Sequence, residues 1–117
     1  MKESIIVLRS FQFSLHILQL YKQLLKQKEY IISRQILRCS TSIGANIEEA
    51  GAASSRKDFV AKMMIASREA REAKYWLRLL QEDQFLPDYN FDDLINEINQ
   101  IINILTKIVK TTQETMK

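Results

Sequence analysis

RQILRCSTSIGANIEEAG, Arg34 to Gly51, is the stretch whose reading decides the fold. Apolar side chains recur at Ile32, Ile36, Cys39, Ile43, Ile47 and Ala50, an alternating three- and four-residue spacing that lays one stripe along an α-helix. Between them stand Ser40, Thr41, Ser42, Gly44, Ala45 and Asn46, small or weakly polar where a solvated helix carries Lys, Glu or Gln. The segment is therefore expected to be a helix touched on more than one side. A glycine in a helix interior costs roughly 1 kcal/mol relative to alanine, so Gly44 predicts another backbone close by.

Outward from this segment the periodicity continues. The first helix is expected from Glu3 to Lys26, with Leu8, Phe11, Leu15, Leu18 and Leu25 on one stripe and Phe13, Ile17, Leu20 and Leu24 on another, a face wider than one partner helix covers. The second helix is expected to end at Gly51, placed as a residue just past a C-terminus. Ser54 or Ser55 opens the third helix, where Ser55 with Asp58 resembles a capping box. Phe59, Met63, Ala66, Ala70, Ala73, Leu77 and Leu80 then keep the rhythm of a bundle seam. Its three alanines are expected to face Ser40, Gly44 and Ile47. After the loop around Pro87, Asn90 caps a fourth helix whose stripe, Leu94, Ile98, Ile101, Leu105 and Ile108, is broadened by Ile95, Ile102 and Val109 and fades into a frayed end, Lys110 to Lys117. Short connections imply antiparallel neighbours, so the expected fold is all-α, an up-down-up-down four-helix bundle forming one domain over residues 1–117. The spare apolar surface of the first and fourth helices predicts a homo-oligomer.

Composition narrows the function. Two glycines and one proline leave little with which to build β-turns. A net charge of +3 permits an anionic partner without demanding one. Cys39 is single and falls on the apolar stripe, which suits a buried thiol. His16 has no second histidine or nearby cysteine with which to hold a metal and is expected on a polar face or at the bundle rim. No Ser-His-Asp set, metal-ligand pair or glycine-rich phosphate loop occurs, so neither catalysis nor a cofactor is expected. The absence of a membrane-length apolar run and of a signal-peptide core points to a cytoplasmic protein.

Arg38, Ser40 and Ser42-Ile43-Gly44-Ala45-Asn46-Ile47-Glu48-Glu49-Ala50, followed by Ser55, Lys57-Asp58-Phe59, Ala66, Glu69-Ala70-Arg71-Glu72 and Tyr75-Trp76-Leu77, resemble the bacterial four-helix-bundle proteins encoded in 23S rRNA intervening sequences. The resemblance covers nearly the whole chain. It implies a small cytoplasmic bundle assembled as a homopentamer. It also implies kinship with accessory subunits of diversity-generating retroelements, in which a basic surface engages nucleic acid and a reverse transcriptase. Cys39, where many relatives place a small or basic residue, and the charged Arg56 are the departures.

Nucleic-acid-binding candidates are Arg34, Arg38, Arg56, Lys57, Arg71, Lys74 and Arg78. They lie in a segment, Arg34 to Arg78, that holds nine basic and five acidic side chains, leaving the rest of the chain slightly acidic. Arg71, Lys74 and Arg78 share a helix face and form a stripe suited to phosphates, although Glu72 and Glu82 stand close enough to neutralise part of it. Arg34, Arg38 and Glu49 could form a functional cluster, but such side chains suit ion pairs with a neighbouring helix first. Tyr75 and Trp76 suit a core or subunit interface first and base stacking second. The expected function is a non-enzymatic oligomeric module bound to RNA or DNA; the alternative is an oligomeric protein scaffold that leaves nucleic acid alone.

Overall fold

A computed structural model describes residues 2–116, with side chains from Ile5 to Met116. Among these residues there are four helices and no strand: α1 Lys2–Lys26, α2 Ile32–Gly51, α3 Arg56–Asp83 and α4 Phe91–Thr115. Each helix packs along its sequence neighbour and α1 closes on α4, while among the described residues the diagonal pairs do not come within 8 Å between Cα atoms. Helices of 20 to 28 residues joined by connections this short can lie along one another only by reversing direction. The result is a four-helix bundle measuring 49 × 20 × 20 Å.

One hydrophobic cluster runs through all four helices. The stripe of α2 is buried from Ile36 through Cys39, Ile43 and Ile47 to Ala50, and that of α3 from Met63 to Leu80, with Val60 rather than Phe59 beginning it. Of the two stripes on α1, the one inside is Phe13, Ile17, Leu20 and Leu24, joined by Ile6. Leu8, Phe11, Leu15 and Leu18 point outward and are 57, 62, 47 and 36% exposed. The broadening on α4 is absorbed within the chain: Ile102 is buried, and Ile95 and Val109 pack against the core. Spare apolar surface is thus a property of α1 and not of α4. Helix α4 stays regular to Thr115, past the Lys110 at which fraying was expected, and Lys117 lies outside the described residues.

Capping explains where the helices start. Ser55 accepts the Asp58 N–H at 3.0 Å, and the Asp58 carboxylate accepts the Ser54 N–H at 3.4 Å. Asn90 accepts the Asp93 N–H at 3.4 Å. On α2 the capping group comes from further back, since the Glu29 carboxylate accepts the backbone N–H groups of Ile31, Ile32 and Ser33 at 3.1, 3.1 and 2.6 Å.

Both glycines differ from expectation. Gly51 is the last helical residue of α2, not a left-handed residue beyond it. The left-handed positions are Lys28 and Gln84, with φ of 63° and 57°, which end α1 and α3. Past Lys28 the Glu29 N–H returns to the Leu24 carbonyl at 2.9 Å and closes the turn. Gly44 faces α1 instead of the alanines of α3: a Cβ there would lie 3.8 Å from Ser10 Oγ, 3.9 Å from the Ser10 carbonyl oxygen and 3.9 Å from Ser14 Oγ. In the same seam Ser14 Oγ donates to the Ser40 carbonyl at 3.3 Å. Small residues on α2 therefore serve the crossing with α1, while Ala66, Ala70 and Ala73 are fully buried in the central core.

Candidate nucleic-acid interface

The buried stripe of α3 fixes what the helix shows elsewhere. With Ala70, Ala73 and Leu77 turned inward, Arg71, Lys74, Tyr75 and Arg78 lie along the flank beside α4. On α4 the burial of Ile98, Ile101, Ile102 and Leu105 likewise leaves Asn99, Asn103 and Thr106 beside α3. Between the two helices these residues line an open groove of about 450 Å³. It continues past the shared Arg71 and Thr106 into a second depression of about 310 Å³ bordered by Met64, Arg68, Val109 and Lys110.

Among the described residues no carboxylate lines either depression. Among the described residues Arg68, Arg71, Lys74, Arg78 and Lys110 have no ion-pair partner. Neither glutamate expected to blunt this stripe forms an ion pair with it among the described residues. Glu72 is turned to the opposite flank of α3, where it accepts hydrogen bonds from the Arg38 guanidinium and, at 3.0 Å, from Trp76 Nε1. Glu82 forms no ion pair among the described residues.

The candidates read from the sequence therefore do not form one patch. Arg71, Lys74 and Arg78 come together in the groove. Arg38 lies on the α2–α3 flank and bridges to Glu69 at 2.9 Å as well as to Glu72. Arg34 is exposed at the beginning of α2, and Lys57 is exposed at the beginning of α3, at the far end from Arg78. Arg56 donates to the Thr115 carbonyl at 3.0 Å and to Thr115 Oγ1 at 2.9 Å, so its charge sits on the C-terminal end of the α4 dipole. Reasoning from the sequence missed Arg68 and Lys110, and with them the polar wall of α4. The 4-3-4 spacing of Asn99, Asn103, Thr106 and Lys110 was the available signal.

Protonation follows from these contacts. The hydrogen bond from the Trp76 indole, helped by Arg38 and opposed by partial burial, holds the Glu72 carboxyl below the usual carboxylate range. The bond to Glu72 raises Arg38 in turn. Burial pushes the Cys39 thiol up to about 12, which keeps it neutral and unsuited to nucleophilic work. His16, exposed on α1, meets Glu97 of α4 at 2.9 Å. No group of three or more metal-ligating side chains occurs among the described residues.

The fold is that of an antiparallel four-helix bundle, and no described helix is long and apolar enough to cross a bilayer. The chain belongs to the 23S rRNA-intervening sequence protein family, which matches residues 2–107. It is similar to a crystal structure from Bacteroides thetaiotaomicron of a protein with unknown function from the S23 ribosomal protein family. The two share 42% sequence identity and a TM-score of 0.90, over 94% of this chain and 99% of the other. No curated protein matches the chain.

Proposed function

We propose that this protein is a non-enzymatic, homo-oligomeric bundle that associates with nucleic acid, RNA foremost, through contacts to phosphates. The α3–α4 groove carries this reading: five cations without a carboxylate among them form the electrostatic footprint of a polyanion site. Arg71, Lys74 and Arg78 are the principal phosphate ligands, with Arg68 and Lys110 extending the track. Arg34 and Lys57 are secondary candidates, while Arg38 and Arg56 act through the ion pair and the helix cap they form. Little sequence preference is expected from phosphate contacts alone, and affinity should fall linearly on a log-log scale with salt.

The outward stripe of α1 supports assembly. Leu8, Phe11, Leu15 and Leu18 form a contiguous apolar surface of the kind that oligomers cover. The pentameric count rests on the family resemblance. A ring would repeat the groove and convert a weak subunit site into an avid band. The same stripe favours a second reading, a cytoplasmic scaffold that binds a partner protein, such as a reverse transcriptase, and leaves nucleic acid alone. Sedimentation separates oligomer from monomer: a monomer at micromolar concentration removes the assembly. Anisotropy of labelled RNA and DNA over a salt series tests the groove, and absence of binding at low salt leaves the scaffold.

A further inference from the structure

Tyr75 is 58% exposed in the middle of the cationic groove, yet its ring is held in place. It meets Trp76 edge to face, with centroids 5.2 Å apart and planes inclined at 72°. Trp76 packs against the core and is anchored by its indole hydrogen bond to Glu72, which Arg38 of α2 holds in turn. Across the groove stand the carboxamides of Asn99 and Asn103, each offering both donors and an acceptor. Phosphates need the cations only. A fixed aromatic face beside two amides suits an unstacked base, which offers a π-face to the ring and a polar edge to the amides.

We infer that the α3–α4 groove takes a single-stranded segment of nucleic acid, with one base stacked on Tyr75, its edge toward Asn99 and Asn103, and the adjoining phosphates on Arg71 and Arg78. This rests on the nucleic-acid reading above and narrows it to single strands. A duplex keeps its base faces stacked and presents only its phosphates and groove edges, so it can use the cations but not the ring. Base-aromatic stacking contributes roughly a five- to 150-fold gain in affinity per base, enough to decide between the two forms.

The test compares a fluorescein-labelled single-stranded RNA dodecamer of mixed A and U with the matching duplex, at low salt and through a salt series. The single strand should bind at least about ten-fold tighter than the duplex. Tyr75→Ala should remove about ten-fold of single-strand affinity, leave duplex affinity and the salt slope unchanged, and melt like the parent, whereas Tyr75→Phe should retain binding. Arg71→Ala should instead weaken both forms and lower the salt slope by about 1. Equal affinity for strand and duplex, with Tyr75→Ala silent, overturns this inference and leaves a phosphate-binding groove standing. Displacement of the strand by polyglutamate of matching charge as readily as by unlabelled RNA also overturns it. No binding of either form by the parent at low salt removes the nucleic-acid reading itself and this inference with it.

Discussion

The two flanks of α3 carry charge in opposite ways. On the side facing α2, Arg38 is matched by Glu69 and Glu72, and Lys62 by Glu49 at 3.0 Å. On the side facing α4, Arg68, Arg71, Lys74 and Arg78 stand beside Asn99, Asn103 and Thr106, with no carboxylate among the described lining residues. Of the five acids between Arg34 and Arg78, three are used in the α2–α3 ion pairs and Asp58 is used in the cap of α3. The local basic excess is therefore not spread over the surface. Pairing on one seam leaves the cations of the other uncompensated, and an uncompensated groove is what a polyanion can occupy.

The largest effect is expected where Gly44 of α2 faces α1. Gly44→Leu should destabilise the bundle by about 1–3 kcal/mol, because a side chain of that size is driven into Ser10 and Ser14 of α1. Gly44→Ala tests the same site from the other direction. Its Cβ would make ordinary contacts at 3.8–3.9 Å, so helix propensity decides the sign and the variant should gain up to about 1 kcal/mol. Urea or thermal melts of the pair measure both. A Leu variant as stable as the parent would show that the α1–α2 seam is loose and that the contrast between the flanks of the bundle is one of charge alone.

Next comes the open flank. Arg71→Glu with Arg78→Glu should leave helicity and assembly intact and reduce affinity for RNA at least about ten-fold near 0.1 M salt, because two phosphate ligands per subunit become repulsive. Unchanged affinity with the fold preserved would assign the groove no part in polyanion binding.

Most of the bundle was legible because a 3.6-residue period states which face of a helix is apolar. That is why the stripe of α2, that of α3 from Met63 onward, and the caps at Ser55 and Asn90 agree with the structure. Period alone does not say which of two apolar stripes turns inward, so Phe13 and Phe11 of α1 were equivalent until packing separated them. Nor does it name the neighbour, which is why Gly44 was assigned to the alanines of α3 while its real partners are two serines of α1. The groove was half legible for a similar reason. Arg71, Lys74 and Arg78 share one helix and announce themselves by spacing, whereas Asn99, Asn103 and Lys110 join them only through the register of α4 against α3. Glu72 misled because its sequence position lies beside the basic stripe while its side chain is drawn to Trp76 and Arg38 on the other flank.

The paired flank should respond more weakly. Arg38→Ala leaves Glu69 and Glu72 as like charges three residues apart on α3, and exposed pairs of this kind contribute about 0.2–1 kcal/mol, so the loss should stay within that range. Fluorescence of Trp76, the sole tryptophan, should shift as Glu72 is released. An unchanged Trp76 signal in the folded variant would mean that Arg38 does not hold Glu72 against the indole.

The smallest effect is in pH and tests the same pair without changing a residue. The Glu72 carboxyl is held below its ordinary value of 4.5, first by the Trp76 hydrogen bond and then by Arg38, against the opposing effect of burial. A carboxyl depressed on folding adds stability that is fully present above its unfolded value and is lost as pH falls through its folded one. The Glu72 side chain is 34% exposed, so solvent screens much of this, and only a shallow acid slope is expected below pH 4.5. Urea midpoints of the parent and of Glu72→Gln, measured from pH 7 down to pH 3, isolate the contribution. The parent should be the more stable at pH 7, and the gap should close as Glu72 takes up its proton. A gap that stays constant through this range would mean that Glu72 contributes by hydrogen bonding its neutral form equally well, and that the α2–α3 flank is matched in shape rather than in charge.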